Sequence, residues 1–166
     1  MAVPSADFGY RSNPGLEDRV TGLSYDGLLL FGRVLMALIF VQSGFGKLLD
    51  IDGFTASLAG KGVPLAGIFG VIGSGVEFFG GLAVLLGLQT RYAAVLIAVF
   101  TIVATAISHR YWEFSDAARR VQEANFMKNV CIIGGFLLLA AVGGGRFSID
   151  TLWRQKASAL WSRTSG

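Results

Sequence analysis

Charge is what this sequence has least of. Charged residues make up 15% of the 166 positions and apolar ones 53%, against roughly 25% charged in ordinary soluble domains. The charges present are crowded into the tails and connections, which leaves four long apolar runs. Hydrocarbon offers no partner for a backbone N–H, so each run must satisfy its own hydrogen bonds, and a helix does so. One soluble domain, the usual reading of this length, is excluded. The single Cys131 lies inside an apolar run. It can form neither an internal disulfide nor a C-x-x-C redox pair, and it reads as a small core residue. With one histidine and one cysteine, no metal-ligand spacing exists. No block of Arg and Lys interleaved with aromatics points to nucleic acid, and the net charge of +3 suits anionic headgroups instead. Residues 1–25 hold no apolar core followed by a small-residue cleavage site, so they read as a polar tail and not as a signal peptide.

What is present are four spans, at about 28–46, 65–88, 92–108 and 129–145. The first contains one charge, Arg33, the second one, Glu77, and the last two none. The first two reach or approach the roughly 20 residues that cross about 30 Å of hydrocarbon. The last two have 17 residues each, so flanking Arg and Lys must snorkel. The connections are predicted to be interfacial. Residues 47–64 lay Ile51, Phe54 and Leu58 on one face of a short helix that Gly62 and Pro64 end. Residues 110–128 fit a second surface helix with Ser115 or Asp116 as N-cap. Beyond Asp150, Trp153, Ala157, Leu160 and Trp161 share a face flanked by Arg154, Lys156 and Arg163, the pattern of a basic helix on an anionic leaflet. The predicted fold is all-α: an integral membrane four-helix bundle with short interfacial helices in the loops and at the C-terminus. It divides into a polar N-terminal tail (1–26), the four-helix domain (27–146) and a basic amphipathic C-terminal tail (147–166).

An even number of spans puts both tails and the Gln89–Arg91 turn on one side. That side carries Arg11, Arg19, Arg91, Arg146, Arg154, Lys156 and Arg163, the other Lys47, Lys61, Arg110, Arg119, Arg120 and Lys128. Seven against six decides little under the positive-inside rule. The basic C-terminal helix is what places the tails in the cytoplasm.

Ionisable groups within spans are expensive and face the bundle interior. Glu77 lies near mid-span, with Gly70, Gly73, Ser74, Gly80 and Gly81 on or beside its face. Small residues at that spacing let helices approach closely. Arg33, about 8 Å inside the first span at 1.5 Å rise per residue, is its expected partner. Lys47 returns to nearly the face of Arg33, with Gly44 between them. His109, Lys128 and Asn129 gather with Lys47 at the loop-side ends of the spans. The expectation is a pocket with Glu77 and Arg33 at depth and Lys47, His109 and Lys128 at its mouth. These residues suit a ligand site, and they equally suit a clasp that fixes helix register, with His109 in an interfacial hydrogen bond. Phe78, Phe79 and Phe100 read as lipid-facing or packing residues.

Eight elements in order resemble the DoxX family: Arg33, Gly44-x-x-Lys47, Gly62-Val63-Pro64, Glu77-x-x-Gly80-Gly81, Gly87-Leu88-x-Thr90-Arg91, Ala104 to His109, Lys128-Asn129 and Gly143-x-Gly145-x-x-Ser148-x-Asp150. The similarity covers about residues 27–151. It leaves out the 110–127 connection and the Trp-bearing C-terminus. It implies a four-helix bundle in a bacterial inner membrane. Relatives are membrane parts of thiosulfate:quinone oxidoreductases, partners of soluble redox or sulfur-transfer enzymes, or accessory proteins, and distant eukaryotic ones are cargo receptors or assembly chaperones. The carried-over polar positions are Arg33, Lys47, Glu77, His109, Lys128 and Asn129, without a family-wide catalytic mechanism.

Two functions are therefore expected. The first is an accessory or anchoring subunit of a larger, redox, membrane complex, with the lipid bilayer and other protein subunits as partners and no intrinsic cofactor. The second is a quinone-linked oxidoreductase subunit, in which Glu77 and His109 exchange protons with quinone. Whether the chain is itself an enzyme stays open at this point. A thiol–disulfide enzyme is disfavoured because Cys131 has no resolving partner, and transport because paired broken helices are missing.

Overall fold

The structure, a computed structural model, describes residues 16–164. The tail at 1–15 and the side chain of Arg163 lie outside what it describes. Six α-helices follow in order: α1 (Leu16–Leu49), α2 (Ile51–Gly60), α3 (Ala66–Leu86), α4 (Thr90–Ser108), α5 (Asp116–Val142) and α6 (Ile149–Thr164), with a 3-10 turn at Tyr111–Glu113 before α5. No strand occurs among the described residues. Four stretches are long and apolar enough to cross a membrane: Thr21–Leu49, Ala66–Leu86, Thr90–Glu113 and Asp116–Val142.

α3 is the centre of the bundle, packed against α1 on one side and α4 on the other, while α4 packs on α5. The core is small-residue rich: Ala37 and Phe40 of α1, Val84 of α3, Ala93, Ala94, Ile97 and Ala98 of α4, Phe136 and Leu139 of α5. Phe40 and Phe136 close the ring of helices edge to face, centroids 5.2 Å apart. Leu35, Ile72, Val95 and Leu138 point outward instead, each about half exposed or more. Lipid tails are the solvent that makes such a surface stable. Backbone contact is closest where α1 meets α3. A Cβ on Gly44 would stand 2.5 Å from the Phe78 backbone nitrogen, so only glycine lets the two helices meet there.

Several boundaries move from their sequence positions. α1 begins at Leu16, well before the expected start of the first span, so its N-terminal turns stand outside the apolar stretch. α2 forms as predicted, with the Asp50 carboxylate accepting the Gly53 N–H at 3.1 Å. Its Leu58 is buried against α3, and Ile51 and Phe54 are half-buried on the same side. The largest change concerns residues 116–142. The surface helix and the fourth span are not separate but are one helix, α5. No proline interrupts Asp116–Val142, so the polar half simply continues the axis of the apolar half. Ser115 stands at its N-cap without a side-chain hydrogen bond, and the helix ends at Gly143 (φ 90°), short of residue 145. Cys131 is exposed on this helix and is not in the core.

A polar chamber at one end, a closed clasp at the other

Glu77 sits eleven residues from the start of α3 and nine from its end, and it is 4% exposed. Its partner is Lys47, in the last turn of α1. The Lys47 ammonium donates to Glu77 Oε2 and lies 5.0 Å from the centre of the Phe54 ring. The reason is the direction of side chains on a helix. Cα–Cβ bonds tilt toward the helix N-terminus, so Lys47, at the C-terminal end of α1, leans into the bundle toward Glu77. The close approach at Gly44 brings its stem beside α3.

Arg33 leans toward the N-terminus of α1 as well, which in its case carries it away from mid-span. Fourteen residues before Lys47, it lies about 21 Å away along the axis. It is 2% exposed and does not pair with Glu77. Its Nη1 and Nη2 donate to the carbonyls of Gly144 and Phe147, each at 2.6 Å. The expected Glu77–Arg33 pair is thus replaced by Glu77–Lys47 and an arginine bound to backbone.

Around the Lys47–Glu77 pair, α4 and α5 build a chamber of about 190 Å³. Thr105 Oγ1 donates to the Thr101 carbonyl at 2.6 Å and accepts from Asn129 Nδ2 at 2.8 Å. His109 follows the end of α4, and its Nδ1 lies 2.8 Å from Gln122 Oε1. Lys128 Nζ donates to Asn125 Oδ1 at 3.1 Å and borders the chamber with Ser43 and Ser108. Of the six positions expected from sequence, Lys47, Glu77, His109, Lys128 and Asn129 meet here, and Arg33 does not. Ser43, Thr101, Ser108 and Gln122 were not anticipated. The i, i+4 spacing of Thr101 and Thr105 was the available signal. Gln122 had none, because its place depends on α5 being continuous. Among the described residues no three His, Cys, Asp or Glu side chains converge as a metal would require.

One wall of the chamber, formed by Lys47, Phe100, Ala104 and Ser108, is shared with an apolar groove of about 500 Å³ between α2, α3 and α4. Leu58, Phe69, Ile72, Val76, Val99 and Val103 line it. Lys61 Nζ donates to Ser108 Oγ at 3.2 Å at its rim. Ligand pockets typically span about 300–1,000 Å³. The chamber alone falls short of that range and with the groove lies within it, so the pair suits a molecule with a polar head and an apolar tail.

The opposite end is a clasp. The Asp150 carboxylate accepts the N–H groups of Gln89 and Thr90 at 2.6 and 2.8 Å and the Thr90 hydroxyl at 2.9 Å. It supplies α4 with the N-cap that Gln89, with φ 45°, does not. Burial pushes the Asp150 carboxyl up, but the hydrogen bonds from Thr90 and Gln89 and the charge of Arg154 outweigh it and hold the group below its ordinary value. The Asp150 N–H returns to the Gly87 carbonyl at 3.1 Å. Arg91 donates to the last carbonyls of α5, Ala140, Ala141 and Val142, at 2.7–3.1 Å. Gly87, with φ 70°, turns tightly beneath Arg33, and a Cβ there would meet Nη1 at 2.4 Å.

The DoxX family model matches residues 28–110. The chain is 37% identical to the inner membrane protein YphA of Escherichia coli over 74% of its own length and 88% of that protein. It is 39% identical to the inner membrane protein YqjF of the same organism, over 77% of the chain and 93% of the relative. The ER-derived vesicles protein ERV29 of Saccharomyces cerevisiae is 27% identical over 75% of the chain but only 33% of that protein. No solved structure matches.

Proposed function

The chain belongs to the DoxX family, and from that premise we propose that it is an accessory or anchoring subunit of a larger, redox, membrane complex in which it seats the head of a lipid-soluble quinone. The observation that carries this reading is the polar chamber sharing a wall with an apolar groove. A quinone needs hydrogen-bond donors for its carbonyl oxygens, proton-exchanging groups and an apolar path for its tail. Lys47, Lys128 and Asn129 offer donors, and Glu77 and His109 are the titratable groups beside them. The quinone itself supplies the two-electron, two-proton chemistry. What the chain does is hold the head, exclude lipid from it and keep a carboxylate–ammonium pair beside it. That pair puts a hydrogen-bond donor, Lys47 Nζ, and an acceptor, Glu77 Oε2, side by side at the chamber wall.

A photoreactive short-chain ubiquinone analogue tests this. It should label residues 96–108 of α4, be displaced by ubiquinone, and lose most of that labelling in Glu77→Gln. Labelling spread evenly over the outward faces of the helices would overturn the ligand reading. The subunit reading is favoured separately by the polar half of α5, whose residues from Asp116 to Val121 are all exposed. Extraction in mild detergent should co-purify a defined set of proteins, and Arg120→Glu together with Val121→Glu should weaken their retention. A bacterial inner membrane and cytoplasmic tails are part of the same proposal, the latter resting on the basic character of α6. A cysteine placed at Ser158 should then be labelled by membrane-impermeant maleimide only after the cells are opened.

A further inference from the structure

α6 leaves the clasp with its rotation already set. Asp150 is its second residue, and the carboxylate is turned onto the first turn of α4. At 100° per residue, the helical period then brings Ala157 and Trp161 within about 20° of Asp150 and Trp153 within about 60°. The apolar stripe of α6 is therefore turned the same way as Asp150, toward the end of the membrane-spanning bundle. No extensive packing joins α6 to the other helices, and Trp153 is 56% exposed. Continued past the edge of the bundle, that stripe faces the bilayer beside it.

At the start of the stripe, Arg91, Tyr92, Trp153 and Arg154 border a crevice of about 230 Å³. Tyr92 stands at the mouth of a membrane-spanning stretch that begins at Thr90, so the crevice lies at headgroup depth. Asp150 also borders it, but both carboxylate oxygens already accept hydrogen bonds from the N-terminus of α4. Arg154 makes no salt bridge within 4 Å among the described residues, and Lys156 is exposed beyond it. The charge offered outward is positive and is framed by two amphipathic rings of the kind that settle at membrane interfaces.

We propose that α6 is a membrane-surface helix that binds the phosphate groups of anionic phospholipids in the leaflet on the tail side. Arg154 in the crevice and Lys156 on the flank contact the phosphates, and Trp153 reaches the acyl boundary. The site is separate from the chamber and does not depend on what the chamber binds.

The test uses the full chain in vesicles, with Trp112→Phe and Trp161→Phe leaving Trp153 as the reporter. Quenching of its fluorescence by brominated phosphatidylglycerol is compared with quenching by brominated phosphatidylcholine at equal mole fraction. The anionic lipid should be favoured, and high salt should weaken the preference. In Arg154→Gln/Lys156→Gln the preference should fall roughly tenfold, while Arg154→Lys/Lys156→Arg retains it. Arg154 adds only its charge to the Asp150 clasp, with no salt bridge within 4 Å, so membrane insertion and thermal stability are measured as the folding control, and Lys156→Gln alone should lower the preference in the same direction. Equal quenching by the two lipids, or a preference that survives Arg154→Gln/Lys156→Gln, would overturn the proposal. So would loss of the preference on adding inorganic phosphate at an ionic strength held constant with sodium chloride, which would mark a free-phosphate site.

Discussion

At the tail end of the bundle, Arg33, Asp150 and Arg91 direct their hydrogen bonds at backbone groups of the turns beside them. At the loop end, Lys47, Glu77, His109, Lys128 and Asn129 surround about 190 Å³ of open space. Both ends draw on the same family motif, and both place ionisable groups among apolar helices. They differ in what the groups face. The clasp groups satisfy carbonyls and N–H groups that helix termini and the turns beside them leave unpaired, so removing Arg33 or Asp150 leaves part-buried backbone groups without that partner. The chamber groups pair mostly with each other and keep a free side toward the cavity. Burial of charge therefore does not by itself identify a site. What marks the chamber is open space beside side chains paired with one another and continuous with an apolar groove; at the crevice of the other end, Asp150 and Arg91 are already bound to backbone.

The comparison can be broken by substitution, and the largest effect belongs to the clasp. Arg33→Leu strands the carbonyls of Gly144 and Phe147 and should lower stability by about 3–5 kcal/mol, read as thermal unfolding in mild detergent. Any protein that still folds should keep quinone-analogue labelling of α4, since Arg33 is far from the chamber. Labelling that disappears while the fold persists would join the two ends functionally. Lys47→Met comes next. It leaves Glu77 buried alone, and a broken buried pair costs about 3–5 kcal/mol. The Lys47 side chain is 29% exposed, so about 2–3 kcal/mol is expected once solvent screening is allowed for.

Asp150→Asn weakens the cap of α4 and should cost about 1 kcal/mol. Its signature is the pH profile. The folded carboxyl titrates below its unfolded value, which is about 3.9, so its contribution is full above that value and is lost as pH falls through the folded one. Acid unfolding scans of the parent protein should show this loss, and Asp150→Asn should not. An equally small effect on stability is expected for Asn129→Ala, which removes one hydrogen bond to Thr105 Oγ1. It should cost about 1 kcal/mol while reducing quinone-analogue labelling several-fold. A change in stability without a change in labelling would assign Asn129 to packing alone.

Much of this was legible beforehand, for reasons that particular residues illustrate. Four apolar runs require four helices because the backbone has no other partner in hydrocarbon. The α2 stripe of Ile51, Phe54 and Leu58 could be read from period alone. Glu77 could be placed in the interior because small residues share its face. The partner of Glu77 could not, since a wheel gives the angle around a helix but not the tilt along it. Arg33 and Lys47 share nearly one face of α1 and lean toward its N-terminus, which takes one toward the carbonyls of the α5–α6 link and the other toward Glu77. α5 was misread because a polar segment of mixed charge looks like a connection, whereas a helix stops only where a residue stops it, here Gly143. The clasp itself rests on Asp150 meeting Thr90, 60 positions apart, a contact that no local pattern encodes.

The measurement that bears most directly on the central claim is a double substitution in the chamber, Lys47→Met with Glu77→Leu. Replacing a buried pair by apolar residues of similar size is often neutral or stabilising. Thermal stability in detergent should therefore recover to near that of the parent protein, while displaceable ubiquinone-analogue labelling of residues 96–108 is lost. Parent-like stability together with parent-like labelling would contradict the account and reduce the pair to a clasp like the one at the other end.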